Sequence, residues 1–108
     1  MKKATGMVIK AVRKHLNYKQ EFVANKLNIT VESFANIENG RVGIELEKLH
    51  RLCLLFRCPM RIMVQLIYEV FEKGSDEGLI NAIKQLISIP NDKDESEQLR
   101  VLSERPTS

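Results

Sequence analysis

Residues 20–40, QEFVANKLNITVESFANIENG, constrain the fold more than any other stretch of the chain. They read as a short helix, a tight turn and a second short helix. Val23, Ala24 and Leu27 form an inward stripe on the first helix, and Phe34 and Ile37 form one on the second. The small side chain of Ala24 lets two helices approach closely where they cross. Asn28 stands where the chain must turn, and asparagine enters the left-handed region more readily than other residues with a side chain. Thr30 suits the N-cap of a helix over Val31–Glu38. Asn39–Gly40 closes that helix, with Gly40 free to take positive φ. Val31, Glu32, Ser33 and Asn36 occupy its outward side.

The rest of the chain has the same periodicity. A first helix is expected over about Thr5–Leu16, with Val8, Ile9, Val12 and Leu16 inward and Lys10, Arg13 and Lys14 toward the other side. The helix before the turn is expected over about Lys19–Leu27. A fourth fits Leu46–Phe56, with Leu46, Leu49, Leu52, Cys53 and Phe56 as its apolar set. A fifth fits Pro59–Glu72, with Pro59 as its first residue. This fifth helix is apolar around most of its circumference, more than one small core buries, so it is the expected dimer interface through Ile67, Tyr68 and Phe71. Gly74 interrupts the pattern. Asp76–Ile89 fits a sixth helix with Leu79, Ile83, Leu86 and Ile87 on one side, stopped by Pro90. Five glycines and three prolines in 108 residues leave little for a turn-rich β sandwich, so the expected class is all-α. The expected organisation is one domain over residues 1–73, a C-terminal helix over 74–90 able to assist dimerisation, and a disordered polar tail over 91–108 with at most a transient helix near Glu95–Leu102.

Charge is unevenly spread. Residues 1–73 hold 13 Lys/Arg against 7 Asp/Glu, a net of +6, and residues 74–108 hold 4 against 7, a net of −3. A basic body with an acidic tail points modestly to a polyanionic partner. No apolar run approaches the ~20 residues that cross a bilayer, and the basic start lacks the apolar core and cleavage site of a signal peptide. A cytoplasmic protein without a membrane partner is the expectation. Cys53 and Cys58 read as free buried thiols. With His15 and His50 they fit no zinc spacing, so neither a metal nor a cofactor is expected. The chain has no nucleophile elbow, phosphate-cradling glycine loop or paired carboxylates, so it is not expected to be an enzyme.

Residues 6–67 resemble the phage repressor/Cro-like helix-turn-helix family, also called the Xre family. The resemblance rests on Ile9, Val12 and Arg13, on Gln20-Glu21 with Val23-Ala24, and on Leu27-Asn28-Ile29-Thr30. It continues through Ile37-Glu38-Asn39-Gly40 and Leu46, Leu49 and Leu52. It implies a compact five-helix, lambda-repressor-like domain that binds double-stranded DNA as a homodimer, with the third helix in the major groove. By resemblance, Gln20, Asn39 and Arg41 match phosphate-contacting positions, and Lys19 adds charge beside Gln20. Arg13 and Glu38 match an ion pair that joins the first and third helices.

Base reading would fall to Val31, Glu32, Ser33 and Asn36. Valine packs on a thymine methyl, glutamate accepts from cytosine, serine bonds several bases and asparagine pairs with adenine. Glu32 and Ser33 have a second explanation, since a carboxylate and a hydroxyl both suit the positive end of a helix dipole. The leading expectation is a sequence-specific transcriptional regulator acting on a pseudo-palindromic operator. The alternative is a protein-interaction module, such as an antitoxin or regulatory adaptor, that engages a partner through the fifth helix and the tail. A small-molecule sensor is disfavoured, because ~35 residues beyond position 73 are too few to fold a ligand-binding domain.

Overall fold

In the computed structural model, which describes residues 1–89, six helices follow one another. They are α1 (Lys2–His15), α2 (Gln20–Lys26), α3 (Val31–Glu38), α4 (Leu46–Phe56), α5 (Met60–Lys73) and α6 (Leu79–Leu86). No strand occurs among the described residues, which makes the fold all-α as expected. The tail expected beyond Pro90 lies outside the described residues. No helix among the described residues is long and apolar enough to cross a membrane.

Short helices need their ends satisfied, and the joints here share one solution. After α1, α2, α3 and α4 the chain enters the left-handed region at Asn17 (φ 65°), Asn28 (φ 58°), Gly40 (φ 76°) and Arg57 (φ 54°). Each time, two backbone N–H groups fold back onto the helix's last carbonyls. At the α2–α3 turn, Asn28 N donates to Asn25 O and Ile29 N to Ala24 O, both at 3.0 Å. This Schellman closure consumes carbonyls that would otherwise be orphaned and lets the chain reverse within few residues. Asparagine serves at two of these joints because its side-chain penalty there is small.

Val8, Ile9 and Val12 of α1, Val23, Ala24 and Leu27 from α2 and its C-cap, Phe34 and Ile37 of α3, and Leu52 and Phe56 of α4 all lie in one core. Met63, Leu66, Ile67 and Val70 of α5 complete it. α1 runs through the middle, packing on α3, α5 and α6, while α2 packs on α3. α6 therefore lies over α1 and α5, burying Leu79, Ile83 and Ile87. His15 pins the far end of this contact, its Nε2 lying 2.8 Å from the Ile87 carbonyl O. A carbonyl only accepts, so Nε2 carries the hydrogen.

Several expectations need correction. α1 starts at Lys2 rather than Thr5, because Thr5 N already donates to Met1 O at 2.9 Å inside the first turn. Pro59 is the N-cap of α5 instead of its first residue, its carbonyl accepting from Ile62 and Met63. α6 is shorter than Asp76–Ile89; Gly78 (φ 80°) is its N-cap, and Ile87 is already extended. Arg13, outward by spacing, is buried because it forms the ion pair with Glu38 that the resemblance implies. Leu46 shares a face with buried Leu49 but is 73% exposed, so the core stops short of the first turn of α4. His15 is half-buried under the α6 end. Leu86 is likewise exposed where an inward position was expected.

Candidate nucleic-acid interface

The orientation of α3 is set from behind. Phe34 (0% exposed) and Ile37 (6%) anchor its inner side in the core. At its C-terminal end Glu38 turns a carboxylate into the protein, with its side chain 1% exposed. Arg13 of α1 meets it with two donors: Nε donates to Oε2 at 2.7 Å and Nη2 to Oε1 at 3.2 Å. Gln20, the first residue of α2, donates from Nε2 to Glu38 Oε1 at 2.8 Å. Arg13 Nη1 also donates to Tyr18 O at 2.9 Å, which ties in the α1–α2 joint. One buried carboxylate thus fixes α1, α2 and α3 relative to one another. No buried side-chain polar atom among the described residues lacks a partner. A fully satisfied buried network rigidifies, whereas a half-satisfied one costs stability.

α1 and α3 also approach unusually closely. A Cβ added at Gly6 would lie 2.4 Å from Glu38 O and 2.5 Å from Ile37 O. Glycine sits mid-helix here, where it is a poor helix former, because nothing larger fits against the end of α3.

The N-terminal end of α3 is capped as the sequence predicts. Thr30 Oγ1 accepts from Ser33 N at 3.0 Å and its hydroxyl donates to Ser33 Oγ at 2.9 Å. A cap of this kind contributes about 1 kcal/mol. It leaves the Ser33 hydroxyl hydrogen free to point outward.

Outward from that bracing, Val31, Glu32 and Ser33 are exposed and Asn36 is half-buried. Lys19 is exposed at the N-cap of α2, beside half-buried Gln20, whose amide reaches Glu38 at the C-terminal end of α3. Asn39 and Arg41 are exposed just past α3, where Arg41 N donates to Asn36 O at 3.0 Å and orders the start of the loop. The base-reading set predicted from sequence thus falls on α3, and the phosphate-contacting set falls just past α3 and at the start of α2. Gln20 has a double position, since one amide hydrogen is engaged by Glu38 and the rest of the amide remains available. Of the three residues expected at a dimer interface, Tyr68 and Phe71 are about half-exposed, whereas Ile67 is 7% exposed and already used in the core.

A family model described as helix-turn-helix matches residues 9–63, the span from the middle of α1 into α5. The chain belongs to that family. It is the repressor/Cro-like (Xre) kind of helix-turn-helix that the sequence resembles, and the protein is a DNA-binding regulator. No curated protein and no solved structure gives a significant match.

Two features are absent from the helix-turn-helix surface. Cys53 and Cys58 are free and buried away from it. Burial, and then the neighbouring Cys58, push the Cys53 thiol up to about 11, and burial also raises Cys58. Both thiols are therefore protonated near neutral pH and are poor nucleophiles. Among the described residues, no three His, Cys, Asp or Glu side chains come together as metal ligands. Sequence reasoning missed Gly6, as well as Lys2 and Lys3, which lie against the loop after α3. The available signals were a glycine inside an apolar helical period and two lysines at a helix start.

Proposed function

We propose that this regulator binds a pseudo-palindromic operator as a homodimer, with α3 of each copy in the major groove. Val31, Glu32, Ser33 and Asn36 read base edges, and Lys19, Gln20, Asn39 and Arg41 hold the flanking phosphates. The observation that carries this reading is the outward face of α3, which is braced from behind by Phe34, Ile37 and Glu38 while α5 and α6 pack elsewhere, on α1. A rigid helix with an uncovered polar face is what base-edge recognition requires. Phosphate contacts supply most of the affinity and base contacts the preference.

A random-site selection tests the reading. It is expected to return paired half-sites about one helical turn apart. Ser33→Ala and Asn36→Ala are each expected to relax preference at one position of the half-site, at a cost of about 1–3 kcal/mol. Arg41→Ala is expected to weaken all sequences alike. Recovery of no sequence at low salt refutes the proposal.

Dimerisation is supported by Val64, Tyr68 and Phe71, spaced i, i+4 and i+7 on α5 and each about half-exposed. The same stripe favours the second reading, a protein-interaction module, if a different chain covers it. Sedimentation equilibrium of the purified protein separates the two. A dimer is expected, and a strict monomer at the concentrations that bind DNA turns the stripe over to a foreign partner.

A further inference from the structure

Lys2 and Lys3 belong to neither contact set above, yet both run along the loop that follows α3. A Cβ placed on Gly40 would lie 2.9 Å from Lys3 Cα and 2.8 Å from Lys3 Cγ. One placed on Gly43 would lie 3.7 Å from Lys2 Cγ and 3.8 Å from Lys2 Cδ. Gly40 and Gly43 bracket Arg41 and Val42, so the two lysine stems flank the segment that carries Arg41. Lys2, Lys3 and Arg41 are all exposed. None of the three side chains has an ion-pair or hydrogen-bond partner among the described residues, and Glu45 of the same loop is paired with none of them.

This grouping runs against local physics. The first turn of α1 contains no acidic residue, so two cations stand together at the positive end of a helix dipole, where cations are disfavoured. Their stems also flank the segment that carries a third cation, Arg41. A local rule broken with no structural compensation marks a functional surface.

We propose that Lys2, Lys3 and Arg41 form one cationic ridge that binds the phosphate backbone of double-stranded DNA on the C-terminal side of α3. The proposal rests on the DNA-binding reading above and extends its footprint across the start of α1. The chemistry fits a backbone contact. An ammonium on a flexible four-carbon stem is a compact point charge with no planar fork for reading a base. Its contribution is therefore independent of sequence.

The test is a salt titration of binding to the operator recovered by selection, using full-length protein and the variant Lys2→Ala/Lys3→Ala. Loss of two phosphate contacts is expected to lower the slope of log K against log salt by about 1.8. Affinity at low salt is expected to fall about tenfold or more, with base preference and melting temperature unchanged. The control Lys73→Ala/Lys84→Ala removes the same net charge from α5 and α6 and is expected to keep the wild-type slope. An unchanged slope in Lys2→Ala/Lys3→Ala overturns the ridge, as does an equal drop in the control, which would reduce the effect to overall charge. Failure of the unsubstituted protein to bind any duplex appears before a variant is made and overturns the parent reading together with this one.

Discussion

Glu38→Ala is expected to lower the unfolding free energy by about 3–5 kcal/mol, the usual consequence of leaving one partner of a buried ion pair alone. The abandoned group is Arg13, whose side chain is 10% exposed and would lose two donors' worth of acceptor at once. Gln20 Nε2 would lose its acceptor as well. For a domain of this size, the loss corresponds to a drop in melting temperature of about 12 °C or more. Thermal unfolding by circular dichroism measures it. The contrasting variant is Arg13→Met/Glu38→Leu, which replaces both charges by apolar groups of similar bulk. It is expected to lose much less, since an apolar pair fills the site without stranding a charge. A melting temperature unchanged in Glu38→Ala would mean that the carboxylate does not hold the three helices together. DNA affinity is expected to fall further than lost stability explains, because Gln20 loses the acceptor that positions it, while base preference persists because the reading side chains of α3 are untouched.

Gly6→Ala is expected to destabilise by about 2 kcal/mol or more, although alanine is the better helix former by about 1 kcal/mol. The sign is set by where the added methyl goes. It overlaps the carbonyl oxygens of Ile37 and Glu38, which are backbone atoms that cannot rotate away. Overpacking costs typically 1–3 kcal/mol even when side chains can adjust, and here α1 must move off α3. That movement stretches the Arg13–Glu38 contact two turns further along α1, so DNA binding is expected to weaken beyond what lost stability explains. Gly43→Ala is the internal control. Its Cβ would meet only Lys2 stem atoms at ordinary van der Waals separation, and stability is expected to stay within about 0.5 kcal/mol of wild type. Chemical denaturation of the three proteins side by side measures both. Equal stability of Gly6→Ala and wild type would show that the α1–α3 approach yields at no cost.

Much of this was legible in the linear pattern. Val31–Glu38 and Leu46–Phe56 were placed from caps and apolar spacing alone, and both have the same bounds in the structure. The cap at Thr30 and the left-handed turns at Asn28 and Gly40 were readable because they depend on one or two residues and their neighbours. What failed was whatever depended on a distant segment. Arg13 has the spacing of a solvent-facing residue, and only the resemblance pairs it with Glu38, 25 positions away, whose carboxylate makes it internal. Leu46 has the spacing of a core residue and stays in solvent because no other element reaches that turn.

The start of α1 shows the same limit at the functional surface. In the sequence, Lys2 and Lys3 precede the helix expected from about Thr5. Only the packing of α1 on the end of α3 brings them beside Arg41, 38 residues later for Lys3. Periodicity and capping are short-range properties, so the order of residues dictated which segments are helical, which faces are apolar and which family the chain belongs to. Proximity is long-range, so only the assembled fold determined that Gln20 joins the Arg13–Glu38 pair, that Gly6 must have no side chain, and that Ile67 faces inward while Tyr68 and Phe71 do not.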